Sequence, residues 1–441
     1  MPHVIQLYDA VPNQLINLSS GNVILNHYTP RAPANKAVAS VTEPIELTFV
    51  GETIDEAKAA LNLVERKLRE IEERREQSAH SRMYLYRKLI GEADTSRSEI
   101  IGGQLIPGDN VLSTYGQAVY PYRLLLERQP FWEQAEQELR ISSVTNSASA
   151  VGGRTIQNNC RPNSTGNFVD IGSGQIKGVL PAPVRVELTN KSGGLKAYRY
   201  FYMGNRSLYT QHSYHYAFEG EARKAGWGQT VGASGTSGGS YVRQTVNTTN
   251  ELPWALSAGM IASMAGSAWV VVAVLAGQPS SPITVTAQLR DQYGLVVIDE
   301  SPPVTISSTY YLVELGVLRV PYSMRTNPAD MTVVLKLQSA TSTNFLLDFF
   351  QLMPTDSYRR LYQRGMQISN NDTVVDDGID DIAYSLESNA RHPIYVPDEA
   401  LMIYPHKYNR LFFLHDLQTG SMPITSDMSV RLFYRPRVVT I

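Results

Sequence analysis

The longest periodic run of hydrophobic positions lies at 54–77. Ile54, Ala57, Leu61, Val64, Leu68 and Ile71 recur at alternating three- and four-residue steps, so on a helix they form one apolar stripe. Thr53 and Glu56 have the spacing of a capping box, in which each side chain satisfies a backbone donor at the helix start. The other faces carry Glu, Arg and Lys, with Glu65/Arg69 and Glu70/Arg74 four residues apart and able to pair. Burying the stripe is worth on the order of 10 kcal/mol gross, before the entropy of ordering the segment. The pattern predicts a one-sided helix lying on the strands that flank it in sequence. Those are 46–50, ended by Gly51, then 82–89 and 122–128.

Elsewhere the period is two or the runs are short. Val184, Val186 and Leu188 alternate with Arg185, Glu187 and Thr189, the pattern of a half-buried strand. From Tyr198 the chain turns Tyr-rich, then Gly/Ser-rich at 232–240. Strand-like runs follow at 241–246, 268–275, 283–289, 310–320, 331–337 and 345–352. Pro, Gly, Asn and Ser separate them, which predicts a two-sheet antiparallel sandwich. Further strands are expected at 401–404, 409–414 and 430–434. Residues 4–41 read as a strand or two and an extended arm, and 142–178 as polar loops around short strands. The run 252–288 holds no charged residue, and 254–277 is long enough to span a bilayer. Gly259, Gly266 and Gly277 with Ser257, Ser263 and Ser267 interrupt it, so two buried strands are expected and no membrane span.

At 441 residues the chain exceeds one ordinary core, and two or three domains are expected. Lys+Arg 39 against Asp+Glu 41 leaves a formal net charge of −2, no electrostatic footprint for nucleic acid or an anionic membrane. Twenty-five Tyr, 31 Gly and 24 Pro with few helical patterns point to a mainly β protein. One cysteine, Cys160, excludes an intrachain disulfide and a multi-cysteine zinc site; a passive role is expected for it. The first residues lack the order of a signal peptide.

Candidate chemistry is sparse. His212 and His215 have a metal-like spacing but no third ligand nearby. Asp372, Asp376, Asp377, Asp380 and Asp381 form an acidic group without the spacing of a calcium loop. Ser237 lies in Gly-Thr-Ser-Gly-Gly, neither a nucleophile elbow nor a phosphate loop. No carboxylate pair is singled out. No catalytic residue, cofactor or metal is therefore assigned, and an enzyme is not expected.

The stretch from Glu46 to Glu133 also carries a resemblance. A short strand is followed by Gly51-Glu52-Thr53, then Asp55-Glu56-Ala57, Leu61-Asn62, Val64-Glu65 and Leu68 on the helix. Tyr84-Leu85-Tyr86, Ser98-Glu99-Ile100-Ile101-Gly102-Gly103, Leu124-Leu125-Leu126-Glu127-Arg128 and Pro130-Phe131-Trp132 come next. This order resembles the N-terminal part of distal tail proteins of long-tailed bacteriophages and their tail-tube-like relatives, and extends loosely to Leu188. The run Leu346 to Thr355 resembles the last strand of carbohydrate-binding jelly rolls.

The resemblance implies a tail-tube-like barrel with its helix over 1–195, a jelly-roll sandwich over 196–357 and a C-terminal β unit over 358–441 that packs back on the others. It implies a structural virion protein, a distal-tail or baseplate subunit that forms a ring, a homohexamer, and continues the tail tube. Its partners would be itself, other tail-tube, baseplate and tail-tip proteins and a host surface glycan, with DNA only passing through the lumen. It would be assembled in the host cytoplasm and reside in the phage tail. Alternatives are a tail-tube subunit with an outer decoration domain, a carbohydrate-binding adhesion or receptor-binding protein, and a glycan-degrading enzyme. The residues this reading uses are a helix core face of Ile54, Leu61, Val64, Leu68 and Ile71, and an interface of Arg66, Arg69 and Arg74. For sugar stacking it uses Tyr200, Trp227 and Tyr241.

Overall fold

Only Gly fits where the chain turns from the strand Val41–Val50 into the helix. A Cβ on Gly51 would stand 2.7 Å from the Ala57 nitrogen and 2.8 Å from the Thr53 carbonyl oxygen. The structure, a computed structural model, describes residues 4–10, 13–33, 39–77, 82–88, 91, 94–108, 118–142, 149–162, 165–307, 311–387, 390–396, 398–417 and 427–439. It is mainly β, with several antiparallel sheets and, among the described residues, two α-helices. The chain divides into two compact units: Met1–Gln137 with Lys177–Ala182 and Arg435–Ile441, and Glu138–Ile176 with Pro183–Tyr434.

The first unit is built around the helix Ile54–Gln77. The Glu56 nitrogen donates to Thr53 Oγ1 at 3.3 Å, while the Glu56 carboxylate accepts from the Glu52 nitrogen. That places the reciprocal bond one residue earlier than a capping box does. Ala57, Val64, Leu68 and Ile71 are buried, Leu61 is half-buried against the same core, and Ile54 is 37% exposed. Lys67, a charged position on the buried side, is held by Asp9 at 2.5 Å and Glu70 at 3.0 Å. Leu68 packs where Gly103 leaves room: a Cβ there would lie 2.9 Å from both Leu68 and Leu126.

The sheet beneath runs in the order Gln14–Asn17, Val4–Asp9, Met83–Lys88, Ser96–Pro107, Val119–Arg128, Val41–Val50, Val23–Tyr28. Its fourth strand joins two halves. Ser96–Glu99 pairs towards 84–87, and from Ile100 onwards the strand pairs towards 122–128, with a register shift between Ile100 and Gly102. A closed barrel was the expectation; among the described residues no sheet closes into one. The strands that would have to meet are 14–17 and 23–28, joined by the turn 18–22. That turn is tied back at both ends, Leu18 N–H donating to the Ile5 carbonyl and Val50 N–H to the Asn22 carbonyl, each at 2.9 Å. The ends of the turn are thus bonded to the strands beside the two edges, and no ladder runs between 14–17 and 23–28. Trp132 is buried between two guanidinium groups, Arg87 at 3.7 Å and Arg128 at 4.3 Å from its ring. Arg128 in turn pairs with the buried Glu43 at 2.5 Å, so the Pro-Phe-Trp motif anchors a polar knot by cation–π contact.

In the second unit two antiparallel sheets share one core. One runs Gln229–Gly232, Ser240–Val246, Thr343–Pro354, Ala268–Leu275, Leu312–Arg319, with Ala217–Glu219 also on 343–354. The other runs Thr249–Leu256, Met331–Gln338, Ile283–Asp291, Val297–Glu300, with Val304–Ile306 also on 283–291. From 240 onward most connections cross between the sheets. The run 254–277 supplies two strands here, as expected, Thr249–Leu256 and Ala268–Leu275, but a short helix, Ala258–Met264, separates them. Ser257 caps it by accepting from the Met260 nitrogen. No described helix is long and apolar enough to cross a membrane.

A four-stranded sheet, Phe168–Ile171, Tyr408–Leu417, Lys196–Leu208, Tyr358–Ile368, adds Tyr202, Phe412 and Leu414 to the same core. Strands 196–208 and 358–368 pair with each other, Gly204 opposite Tyr358. Entry to and exit from the sandwich therefore lie side by side, the arrangement of an inserted domain. Another sheet orders Arg154–Ile156, Met428–Tyr434, Ala182–Asn190, Thr373–Asp377, Ile382–Glu387 and Ala390–Pro393.

Candidate functional site

The outer side of the helix in the first unit borders two grooves. One, of about 660 Å³, is lined by Ala59, Asn62, Leu63, Glu65, Arg66 and Arg69. The other, of about 460 Å³, lies between Ala59, Ala60, Leu63 and Val64 and the two edge strands. Arg69 pairs with Glu65 at 2.5 Å and Arg66 with Glu70 at 3.6 Å, along the helix itself. The Arg74 side chain lies outside the described residues. Pairs this exposed contribute little to stability. The edge strands offer more. Among the described residues 14–17 pairs only with 4–9, and 23–28 only with 41–50. Leu15 and Ile24 on them are 55% and 48% exposed. A strand with one free side is a template for another chain.

The histidines and carboxylates singled out in the second unit are tied into the fold. His212 and His215 lie outside helices and strands. His212 faces the Tyr408 carbonyl at 3.2 Å, and His215 stacks on Phe168 with Arg410 3.0 Å from its Nδ1. Burial, with the charge of Arg410, pushes His212 down to about 3 and His215 to about 4, so both rings are neutral near pH 7. In the acidic group, Asp376 and Asp381 meet on Arg359, Asp381 at 3.3 Å. Asp376 is buried against Arg359 at 2.8 Å, and Asp377 accepts from the backbone of Ile379 and Asp380. Among the described residues no group of His, Cys, Asp or Glu is arranged to hold a metal.

A cluster that sequence reasoning missed surrounds Cys160. Its thiol lies 3.1 Å from Ser237 Oγ, and the Ser237 nitrogen donates to both oxygens of Asp348 at 2.9 and 3.0 Å. Glu219 takes the guanidinium of Arg161 at 2.5 Å. Burial lifts the Asp348 carboxyl to about 8, helped by the charges of Glu221 and Glu219. Burial also pushes the Cys160 thiol up, which removes the thiolate that reactivity needs. No sequence motif joins these residues, which come from four separate segments.

No family model and no curated protein matches the chain. Among solved structures it is similar to a chain of the phage P2 baseplate in its activated conformation with calcium. That likeness has 8% identity, covers 100% of both chains and has a TM-score of 0.30. A second is the Dit protein of SPP1, described as a hub adsorption apparatus of phages infecting Gram-positive bacteria, at 6% identity over 98% and 99% of the chains and a TM-score of 0.29. A third is an exo-β-1,3-galactanase from Phanerochaete chrysosporium, at 10% identity over 63% and 79% with a TM-score of 0.22. Likenesses this distant carry no argument about role.

The three aromatics singled out for sugar stacking sit on different elements. Tyr200 is packed between Tyr202 and Tyr362, with ring centres 5.5 and 4.8 Å away. Trp227 is an exposed turn residue, its carbonyl held by Arg223. Tyr241 is half-buried on the strand 240–246, opposite Val231. Tyr200 itself is half-buried.

Proposed function

We propose that this chain is a structural virion protein of a tailed bacteriophage, a distal-tail or baseplate subunit that assembles with itself into a ring. The observation that carries this reading is the rolled sheet of the first unit, left open between two edge strands beside a single-sided helix. In a monomer, free edges bearing Leu15 and Ile24 are a liability that proteins usually block with charge or proline. In a ring they are the joints, strand 14–17 of one copy meeting strand 23–28 of the next. The sheet then continues from subunit to subunit around a lumen. The order of motifs from Glu46 to Glu133, which resembles distal tail proteins, supports the same reading. The sandwich, whose strands largely alternate between two sheets, is read as a jelly roll.

Electron microscopy of the purified full-length protein in negative stain tests this directly. Six-fold rings with a central lumen are expected. Compact monomers or trimers at every concentration would sink the proposal and favour an adhesion protein.

A further inference from the structure

The first unit sets two opposite charges face to face in an apolar core. Along the strand Val4–Asp9 alternate residues point inward, so Ile5, Leu7 and Asp9 share one face, and none of the three has exposed surface. On the helix, Lys67 lies between Val64 and Ile71, one turn to either side; both are buried, and Lys67 is itself 5% exposed. Each position is one that the pattern of its element gives to a hydrophobic side chain. The Lys67 Nζ is 2.5 Å from Asp9 Oδ2 and 3.0 Å from Glu70 Oε2. An amine that close to a carboxylate oxygen stands about 3–3.5 Å from its carbon, the separation of a near-attack conformer.

As a means of holding a core together, such a pair is weak. Desolvating two ions costs about as much as their attraction returns, and apolar residues of the same volume often stabilise as well or better. An amide made from the two side chains removes both charges and leaves one N–H and one C=O to be bonded. The core also takes away what opposes that reaction in water. Desolvation penalises the ion pair far more than the neutral amine and acid that one proton transfer makes of it. Burial likewise shields the finished amide from hydrolysis.

We infer that Lys67 and Asp9 join in an intramolecular amide bond, with Glu70 as the proton carrier. One ammonium proton passes from Nζ to the Asp9 carboxylate, and the freed lone pair on nitrogen attacks Cγ. Glu70 takes a second proton from the nitrogen and delivers it to the hydroxyl, which leaves as water when the carbonyl re-forms. Glu70 ends as the carboxylate it began as, the chain has lost one water, and the step balances with no other reactant. The bond ties the first strand to the helix across 58 positions of sequence, and the edge strand 14–17 is paired to that first strand. The inference goes beyond the assembly reading and does not rest on it, since the bond forms within one chain whether or not rings do.

The test is the intact mass of the full-length protein after denaturation, followed by tryptic mapping. The parent should weigh one water less than its sequence, and digestion should yield a branched peptide that joins residues 1–31 to Lys67-Leu68-Arg69. Glu70→Gln can still accept a hydrogen bond from Lys67 but cannot carry the proton. It should slow bond formation about a hundredfold or more, leaving freshly made protein mostly at full mass. Asp9→Leu combined with Lys67→Met fills the same space with apolar atoms, so the double variant should fold and keep its full mass. Circular dichroism of each protein ensures that folded chains are compared. The inference is overturned if the folded parent has its full sequence mass, which would leave Lys67 and Asp9 a plain buried ion pair. It is equally overturned if the missing water maps to other residues, if it is also missing from the double variant, or if Glu70→Gln forms the bond as fast as the parent.

Discussion

Asp348 ties the sandwich to pH. Its carboxyl stands at about 8 in the folded chain against 3.8 as a free side chain, because it is buried beside Glu221 and Glu219. In that window the folded protein keeps a proton that the unfolded chain has released. Its contribution to stability is full below pH 4 and is lost as pH rises towards 8. His212 and His215, held down at about 3 and 4, work on the acid side: their contribution falls away as pH drops below about 6.5. Urea unfolding should therefore show Asp348→Asn losing less stability than the parent between pH 5 and pH 8. The difference should be on the order of a few kcal/mol, and parallel curves would show that Asp348 is ionised in the fold. A second residue-scale prediction concerns Gly103. Gly103→Val would drive carbon atoms into Leu68 and Leu126, lowering stability by about 1–3 kcal/mol on thermal unfolding. Little of this is visible in the sequence. Ser237 stands out there only as a failed catalytic motif and Cys160 as a passive thiol, while Asp348 lies in an apolar strand with no pattern to mark it. What joins them is a tertiary meeting of loop residues with the strand 343–354, which spacing along the chain does not encode.

At the scale of elements, the helix is the most legible part, because its stripe repeats for five steps and a sustained period of 3.6 does not fit a strand. Its details are less so. Ile54 fits the stripe but falls in the first turn, beyond the sheet. Lys67 breaks the stripe yet is buried, because Asp9 waits for it on the first strand. Lys67→Ala should cost about 3–5 kcal/mol, a larger loss than any surface arginine. Arg69→Glu should cost only a few tenths, since it merely exchanges an exposed pair with Glu65 for a repulsion. Chemical denaturation of both variants checks the ranking, and equal losses would mean that the Lys67–Asp9 pair is solvated. The helix 258–264 is illegible for the opposite reason. It runs for only seven residues and buries just Ile261 and Met264, too short a run for its period to be told from that of the uncharged strands on either side. The missing closure of the barrel is equally illegible, since pairing between two edges is decided by the turn 18–22 and not by either strand's own pattern.

For the whole molecule, reading the chain as three consecutive pieces follows its composition, but the sheets are threaded differently. Strand 182–190 pairs with 373–377 and 428–434, and strand 196–208 pairs with 358–368 and 408–417, so the segments on either side of the sandwich complete each other. Such non-local pairing leaves no periodic trace in either segment. It also sharpens the assembly test, because the sandwich and its supporting sheets can stay intact while the edges of the first unit are altered. Leu15→Lys and Ile24→Lys place charges on those free edges, on side chains already about half exposed, so each should change monomer stability by less than about 0.5 kcal/mol. Both should disrupt rings, because a lysine on an edge strand must be desolvated when another strand pairs there. Light scattering behind size exclusion would then show the parent as a ring and each variant as a monomer at the same concentration. If both variants assemble as the parent does, the free edges are not the joints, and the two grooves beside the helix become the surface to mutate next.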